Sequence, residues 1–208
     1  MTDRTGCLKT DLLRTVSGLR VSMTNPKPEQ FELVDIAVGL SNQCRFGGQV
    51  HNHYSVAEHS VACSENAKRC GADVHIQMAC LMHDAAEAYL GDVIRPLKNI
   101  MGGKYLELES RMQAVIDKRF NIDCAGNHEV IKLHDNAICE AEMKVICYRE
   151  YLEVKDSFAN LGEFSSNYEP KFLPPKAASL AFINRFSELY NYHLGPRPVI
   201  ETEVQTNG

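Results

Sequence analysis

The segment Leu81-Met82-His83-Asp84-Ala85-Ala86-Glu87 sets an imidazole and two carboxylates into an otherwise apolar run. On a helix, at about 100° per residue, His83, Glu87 and Asp84 fall at about 0°, 40° and 100°, a single sector that can meet a common ligand. His59 stands upstream and Asp135 downstream, each within its own helical pattern. Two imidazoles and two carboxylates from three helices form a mixed nitrogen and oxygen donor set. Such a set suits Mn, Fe, Co, Zn or Mg and lacks the thiolates that demand zinc. A His-Asp dipeptide by itself is weak, and His134-Asp135 is a second one in this chain. Context strengthens the first: among Leu81, Met82, Ala85 and Ala86 an unpaired carboxylate would cost several kcal/mol, which a metal ion would relieve.

These side chains need helices to position them. Ser55-x-x-Glu58 has the form of a capping box and predicts a helix through Val56, His59, Val61, Ala62 and Ala67 that stops at Gly71. The next helix is expected from about Asp73 to Leu90, ended by Gly91, with Asp92 opening a turn that Pro96 forces. Upstream, Phe31, Val34, Ile36, Ala37 and Leu40 have helical spacing, Gly47-Gly48 closes the pattern, and Arg45-Phe46 sits at its exit. Tyr105 to Phe120 reads as an amphipathic helix and Glu129 to Tyr151 as the longest helix. Periodicity fades from about Glu153 to Pro175, a long loop of the kind that often borders sites, before a last helix from Ala177 to Tyr192. Thr15 to Met23 alternates around Gly18 and predicts a short hairpin, while the stretch after Pro196 reads as a frayed polar tail.

The 208 residues, 44% hydrophobic and without a linker-like stretch, are expected to form one domain, 1–208. A net charge of -5 from 22 basic and 27 acidic residues gives no field for gripping duplex nucleic acid. The eight cysteines fall mostly in helical patterns with no CxxC pair and read as reduced packing residues. Met1 to Leu13 lacks the apolar centre of a signal peptide, and no run approaches the roughly 20 apolar residues of a membrane span. A cytoplasmic protein that leaves membranes alone is the expectation.

Taken in order, Arg45-Phe46, Ser55-Val56-Ala57-Glu58-His59-Ser60, His83-Asp84-Ala85-Ala86-Glu87, Gly91-Asp92, Pro96-Leu97-Lys98 and Asp135 resemble the motifs of the HD-domain metal-dependent phosphohydrolases. The similarity runs from about Val16 to Leu189. Within that family the chain looks most like small bacterial 5'-deoxynucleotidases and their phage and prophage relatives, phage dATP triphosphohydrolases included. The resemblance implies an all-α HD-domain bundle of about six main helices with a short N-terminal β element. It implies His59, His83, Asp84 and Asp135 as ligands of a divalent metal ion, with His134 outside the ligand set. Glu87 matches a catalytic acid or base, and Asp92 a residue that activates water or holds substrate. Arg45 matches a substrate-binding arginine, Lys98 offers another charge for phosphate, and Phe46 stands where the deoxynucleotidases usually carry tryptophan. His51 and His53 rank low as substrate contacts.

The expected reaction is removal of the 5'-phosphate from (deoxy)nucleoside monophosphates. The alternative within the family is a dATPase-like attack on a nucleoside triphosphate that releases tripolyphosphate. A di-iron HD-type oxygenase would need further histidine ligands, for which only His51, His53 and His134 are candidates. A non-catalytic regulator predicts lost ligands, and a cyclic-nucleotide or alarmone hydrolase is a further option. The partners implied are a nucleotide substrate and further copies of the chain in a homo-oligomer.

Overall fold

Helices dominate residues 11–193, the span that the computed structural model of the protein describes. Six of them have nine residues or more: α1 (Leu33–Asn42), α2 (Val56–Arg69), α3 (Val74–Met82), α6 (Gly103–Phe120), α7 (His128–Ile146) and α9 (Pro175–His193). Three are short: α4 (Glu87–Leu90), α5 (Arg95–Met101) and α8 (Tyr148–Val154). The expectation of an all-α fold with a small N-terminal β element is met. That element is an antiparallel pair, β1 (Leu12–Arg14) and β2 (Arg20–Ser22), registered with Leu13 opposite Val21. Gly18, at φ 91°, makes the turn between the strands. The backbone N–H and hydroxyl of Ser17 both donate to the Asp35 carboxylate, at 2.8 and 2.6 Å, tying the hairpin to α1.

The core collects the apolar faces predicted from spacing. Phe31, Ile36, Leu40, Val56, Met78, Leu81, Met82, Met112, Ile116 and Phe182 are buried together, with α9 against α1, α2 and α3. A second apolar cluster, including Ala62, Cys63, Ala79, Cys80, Ile131 and Ile138, fills the space shared by α2, α3 and α7. Gly39 on α1 lies directly against Ala88 of α4. A Cβ there would stand 2.8 Å from both the Cβ and the carbonyl oxygen of Ala88, so the absence of a side chain sets how near α4 can come.

Several boundaries differ from the sequence expectation. The helix expected from Asp73 to Leu90 is broken at residues 83–86, where bonds tighten to i→i+3: Ala85 N–H donates to the Met82 carbonyl and Glu87 N–H to that of Asp84. Ala-rich sequence hides this break because alanine accepts either turn. Pro96 starts α5 instead of forcing a turn, since its fixed φ suits a first helical turn. The expected helix from Glu129 to Tyr151 divides at Cys147, whose φ/ψ of -130°/50° is not helical, so α7 only equals α9 in length. The expected loop before α9 contains two 3-10 turns, Lys155–Phe158 and Gly162–Phe164.

The capping box is half made. Ser55 Oγ accepts from Glu58 N–H at 3.2 Å, but the Glu58 carboxylate turns inward. It accepts from Tyr168 OH, Lys171 N–H and Leu173 N–H at 3.0, 2.6 and 2.8 Å, fastening the segment before α9 onto α2. The seven cysteines among the described residues are free thiols. No helix among those residues is long and apolar enough to cross a membrane. The polar tail expected after Pro196, Cys7, and most of the Met1 to Leu13 stretch lie outside the described residues.

Candidate metal centre

His59 sits in the second turn of α2, placed there by the Ser55 cap. His83 caps the C-terminus of α3, Asp84 follows in the tight turn, and Asp135 lies mid-way along α7. The four converge. His59 Nε2 is 3.2 Å from Asp135 Oδ1 and 3.9 Å from Asp84 Oδ2, and His83 Nε2 is 3.1 Å from Asp84 Oδ2. The two rings stand 5.5 Å apart, centre to centre.

Both imidazoles are fixed from outside the cluster. His59 Nδ1 is 2.6 Å from Glu142 Oε1, and His83 Nδ1 is 2.8 Å from the Cys80 carbonyl oxygen. An oxygen acceptor at each Nδ1 holds a proton there and turns both Nε2 atoms inward, the outer-shell arrangement that orients metal-binding histidines. His83 Nε2 is buried and makes no hydrogen bond of acceptable alignment, its short contact to Asp84 notwithstanding. An orphaned, buried nitrogen beside two carboxylates is a feature that a cation would satisfy.

The electrostatics agree. Burial alone would lower the His83 pKa, yet the Asp84 carboxylate lifts it to about 9. Burial would raise Asp84, but His83 draws it down to about 2. Burial and the Arg45 charge work against protonation of His59, and Glu142 and Asp135 outweigh them. Asp135 is held below the ordinary carboxylate range against its burial by His59 and His83. The carboxylates thus favour positive charge at the two buried imidazoles, a demand that a divalent ion can meet in place of protons.

Two residues that sequence reasoning missed belong to this geometry. Glu142, fully buried on α7, joins the site together: Tyr54 OH donates to its Oε1 at 2.6 Å, and Arg45 Nε and Nη2 donate to its Oε2 at 3.1 and 2.9 Å. Its one sequence signal is the seven-residue step from Asp135, two helical turns along the same face. Cys63 is the other. Its Sγ is 3.4 Å from His59 Nε2, and the ligand atoms of His59, Cys63, His83 and Asp135 all lie within 4.8 Å of one another. The sequence reading placed no sulfur beside these residues; the structure brings the Cys63 thiol next to them, and the signal was the i, i+4 step from His59 to Cys63.

Glu87 is buried at the start of α4. Burial first, then Asp84 and Asp92, push its pKa well up, and Lys98 only partly offsets them. Its Oε1 accepts from Lys98 Nζ at 3.1 Å, while Oε2 is buried without a partner. Asp92 is half-buried, and its pKa is raised by burial against the Arg45 charge, with Asp84 adding to the rise. Lys98 is paired with Glu109 at 2.7 Å in addition to Glu87. Arg45 is likewise paired, with Glu142. Phe46 lies under the Arg45 guanidinium, 5.5 Å from ring centre to Cζ, at a φ of 58° that non-glycine residues rarely adopt. Such a conformation costs about 1–3 kcal/mol and clusters at functional sites.

His134, His53 and His51 stay out of the cluster. His134 accepts from Asn66 Nδ2 at 3.1 Å and packs on the Phe164 ring, and burial lowers its pKa to about 4. His53 Nε2 is 3.0 Å from the Ser41 carbonyl oxygen, and His51 is exposed.

No family model matches the chain. An uncharacterized protein of Rhodobacter capsulatus is 40% identical over 113 residues, 52% of this chain and 58% of that protein. The uncharacterized Escherichia coli protein YfdR is 36% identical over 110 residues, 53% of this chain and 58% of YfdR. The chain thus spans little more than half the length of the curated relatives it matches. Among solved structures, the cyanophage S-2L HD phosphohydrolase DatZ, bound to dA and one catalytic Zn2+ ion, aligns with a TM-score of 0.45. That alignment has 20% identity and covers 76% of this chain and 95% of that one.

Proposed function

We propose that the protein is a metal-dependent phosphohydrolase that removes the 5'-phosphate from (deoxy)nucleoside monophosphates. The observation that carries the metal part is the pair of buried imidazoles whose Nδ1 atoms are engaged by Glu142 and the Cys80 carbonyl, so that both Nε2 atoms face Asp84 and Asp135. The nucleotide part rests on the ordered motifs that resemble the HD-domain phosphohydrolases.

His59, His83, Asp84 and Asp135 would hold the ion, which supplies Lewis acidity toward a water molecule and a phosphoryl oxygen when bound. Glu87 carries out proton transfer. Its burial favours the neutral acid, and an ion nearby favours the carboxylate, so it is poised to take a proton from the attacking water. Asp92 orients that water. Arg45 is held by two of its nitrogens on Glu142, which fixes the guanidinium and leaves Nη1 to donate to a phosphate oxygen. Phe46, beneath the guanidinium, offers its ring to the sugar. A monophosphate fits this charge pattern better than a triphosphate, because Arg45 and Lys98 are each already balanced by carboxylates.

The test is to incubate metal-stripped protein with Mn, Co, Mg or Zn and a panel of deoxy- and ribonucleoside mono- and triphosphates, with orthophosphate and tripolyphosphate read separately. Orthophosphate from monophosphates, absent in His83→Ala, is the expected result. Tripolyphosphate from a triphosphate would replace the monophosphatase reading, and silence from every nucleotide with metal bound would remove the nucleotide.

A further inference from the structure

We propose that Cys63 is a sulfur ligand of the same ion, so that the centre is a thiolate-containing site selective for Zn(II), Co(II) or Fe(II) over Mg(II) and Mn(II). This inference rests on the metal reading above and adds a donor that the motif resemblance does not include. Cys63 follows His59 by four residues on α2, so the two side chains leave one face one turn apart. Cys63 is buried, and its Sγ contacts the His59 ring, 3.4 Å from Nε2 and 3.9 Å from Nδ1.

Two of the spacings within the His59, Cys63, His83 and Asp135 group match the edges of a four-donor coordination sphere. With zinc bonds of about 2.3 Å to sulfur and about 2.0–2.2 Å to nitrogen and oxygen, tetrahedral edges are about 3.6 Å for S to N and about 3.4 Å for N to O. The corresponding distances are 3.4 Å from Cys63 Sγ to His59 Nε2 and 3.2 Å from His59 Nε2 to Asp135 Oδ1. A second feature points to the same spot: His83, whose buried Nε2 makes no well-aligned hydrogen bond, places a ring nitrogen within 4.8 Å of that sulfur. Cys80 provides the contrast. It is equally buried in the same apolar cluster, yet its thiol is not among the converging ligand atoms.

Binding would form one metal–sulfur bond and break one S–H bond, the proton passing to bulk buffer. A thiolate in the sphere favours borderline and soft ions, whereas magnesium and manganese prefer all-oxygen surroundings.

The full chain, stripped of metal and titrated with Co(II), tests this directly. Visible ligand-field absorption reports the ion, and a near-ultraviolet sulfur-to-cobalt charge-transfer band reports Cys63. The expected result is both bands in the wild type and in Cys80→Ser, with the near-ultraviolet band lost in Cys63→Ser. Zinc affinity in that variant should fall by about 10-fold or more. X-ray absorption of the zinc-loaded wild type needs no variant and should show a sulfur neighbour at about 2.3 Å. Visible bands with no sulfur signal, or a sulfur signal that survives Cys63→Ser in a folded protein, would overturn the Cys63 ligand and leave the metal site standing. No bound cobalt by elemental count would overturn both.

Discussion

Glu58 and Glu142 are both carboxylates buried in the helical body, and the difference between them lies in what they hold. Glu58 accepts from two backbone N–H groups and the Tyr168 hydroxyl, so its charge is used to fasten one segment of chain onto α2. Glu142 accepts from Arg45, Tyr54 and His59, the last of them a member of the candidate centre. Tyr54 and Tyr168, hydroxyl to hydroxyl at 3.4 Å, connect the two. A buried charge is costly wherever it lies, and its partners reveal whether the cost supports the fold or the chemistry.

The sharpest way to break this comparison is to remove Glu142. In Glu142→Ala the partly buried Arg45 loses its counter-charge, and stability should drop by about 3 kcal/mol in urea unfolding. Glu142→Gln keeps the volume and is the finer probe. We expect a folded protein whose metal affinity is down by about 10–100-fold, because His59 loses the acceptor that orients it.

Glu58→Gln should invert that pattern. An amide in place of a carboxylate leaves donors facing donors, so unfolding should cost about 1–3 kcal/mol less while cobalt affinity stays unchanged. Equal losses of metal affinity in the two glutamine variants would erase the distinction. Gly39→Ala probes how α4 is seated. Its Cβ meets Ala88, and we expect a loss of about 1–3 kcal/mol together with a lower phosphate-release rate as Glu87 is displaced.

At neutral pH the smallest effect concerns His134, which is buried like His59 but lies outside the cluster and acts only as pH falls. Its pKa is lowered to about 4 in the fold by burial and by the Arg69 charge. The unfolded chain takes up a proton near the ordinary value of about 6.5, while the folded protein does not until about 4. His134 therefore stabilises fully above about 6.5, and that contribution is lost as pH falls toward about 4, with a slope of at most about 1.4 kcal/mol per pH unit. His134→Gln should flatten the stability profile in that window and leave metal binding intact. An unchanged profile would show that His134 protonates normally.

The ends of α2 were legible because caps are local signals, and the His83-Asp84 pair was legible as adjacent polar residues in an apolar run, although they stand in a tight turn and not on a continuous helix face. Ser55 and Asp73 do cap α2 and α3 as their types require. What the sequence concealed is non-local. Glu142 reaches Arg45 across 97 residues and His59 across 83, separations at which no spacing rule operates. Cys63 was concealed by company, one of eight cysteines in a chain whose composition makes packing the ordinary expectation. The break at residues 83–86 was hidden by alanines that fit both helix types, and the paired state of Lys98 depends on Glu109, one helix away.

The most direct measurement is orthophosphate release from a deoxynucleoside monophosphate as zinc or cobalt is returned to the stripped protein. The account predicts no release without metal, a rise that saturates at about one ion per chain, and none in His83→Ala at any metal level. Release that is unaffected by stripping, or that persists in His83→Ala, would contradict it.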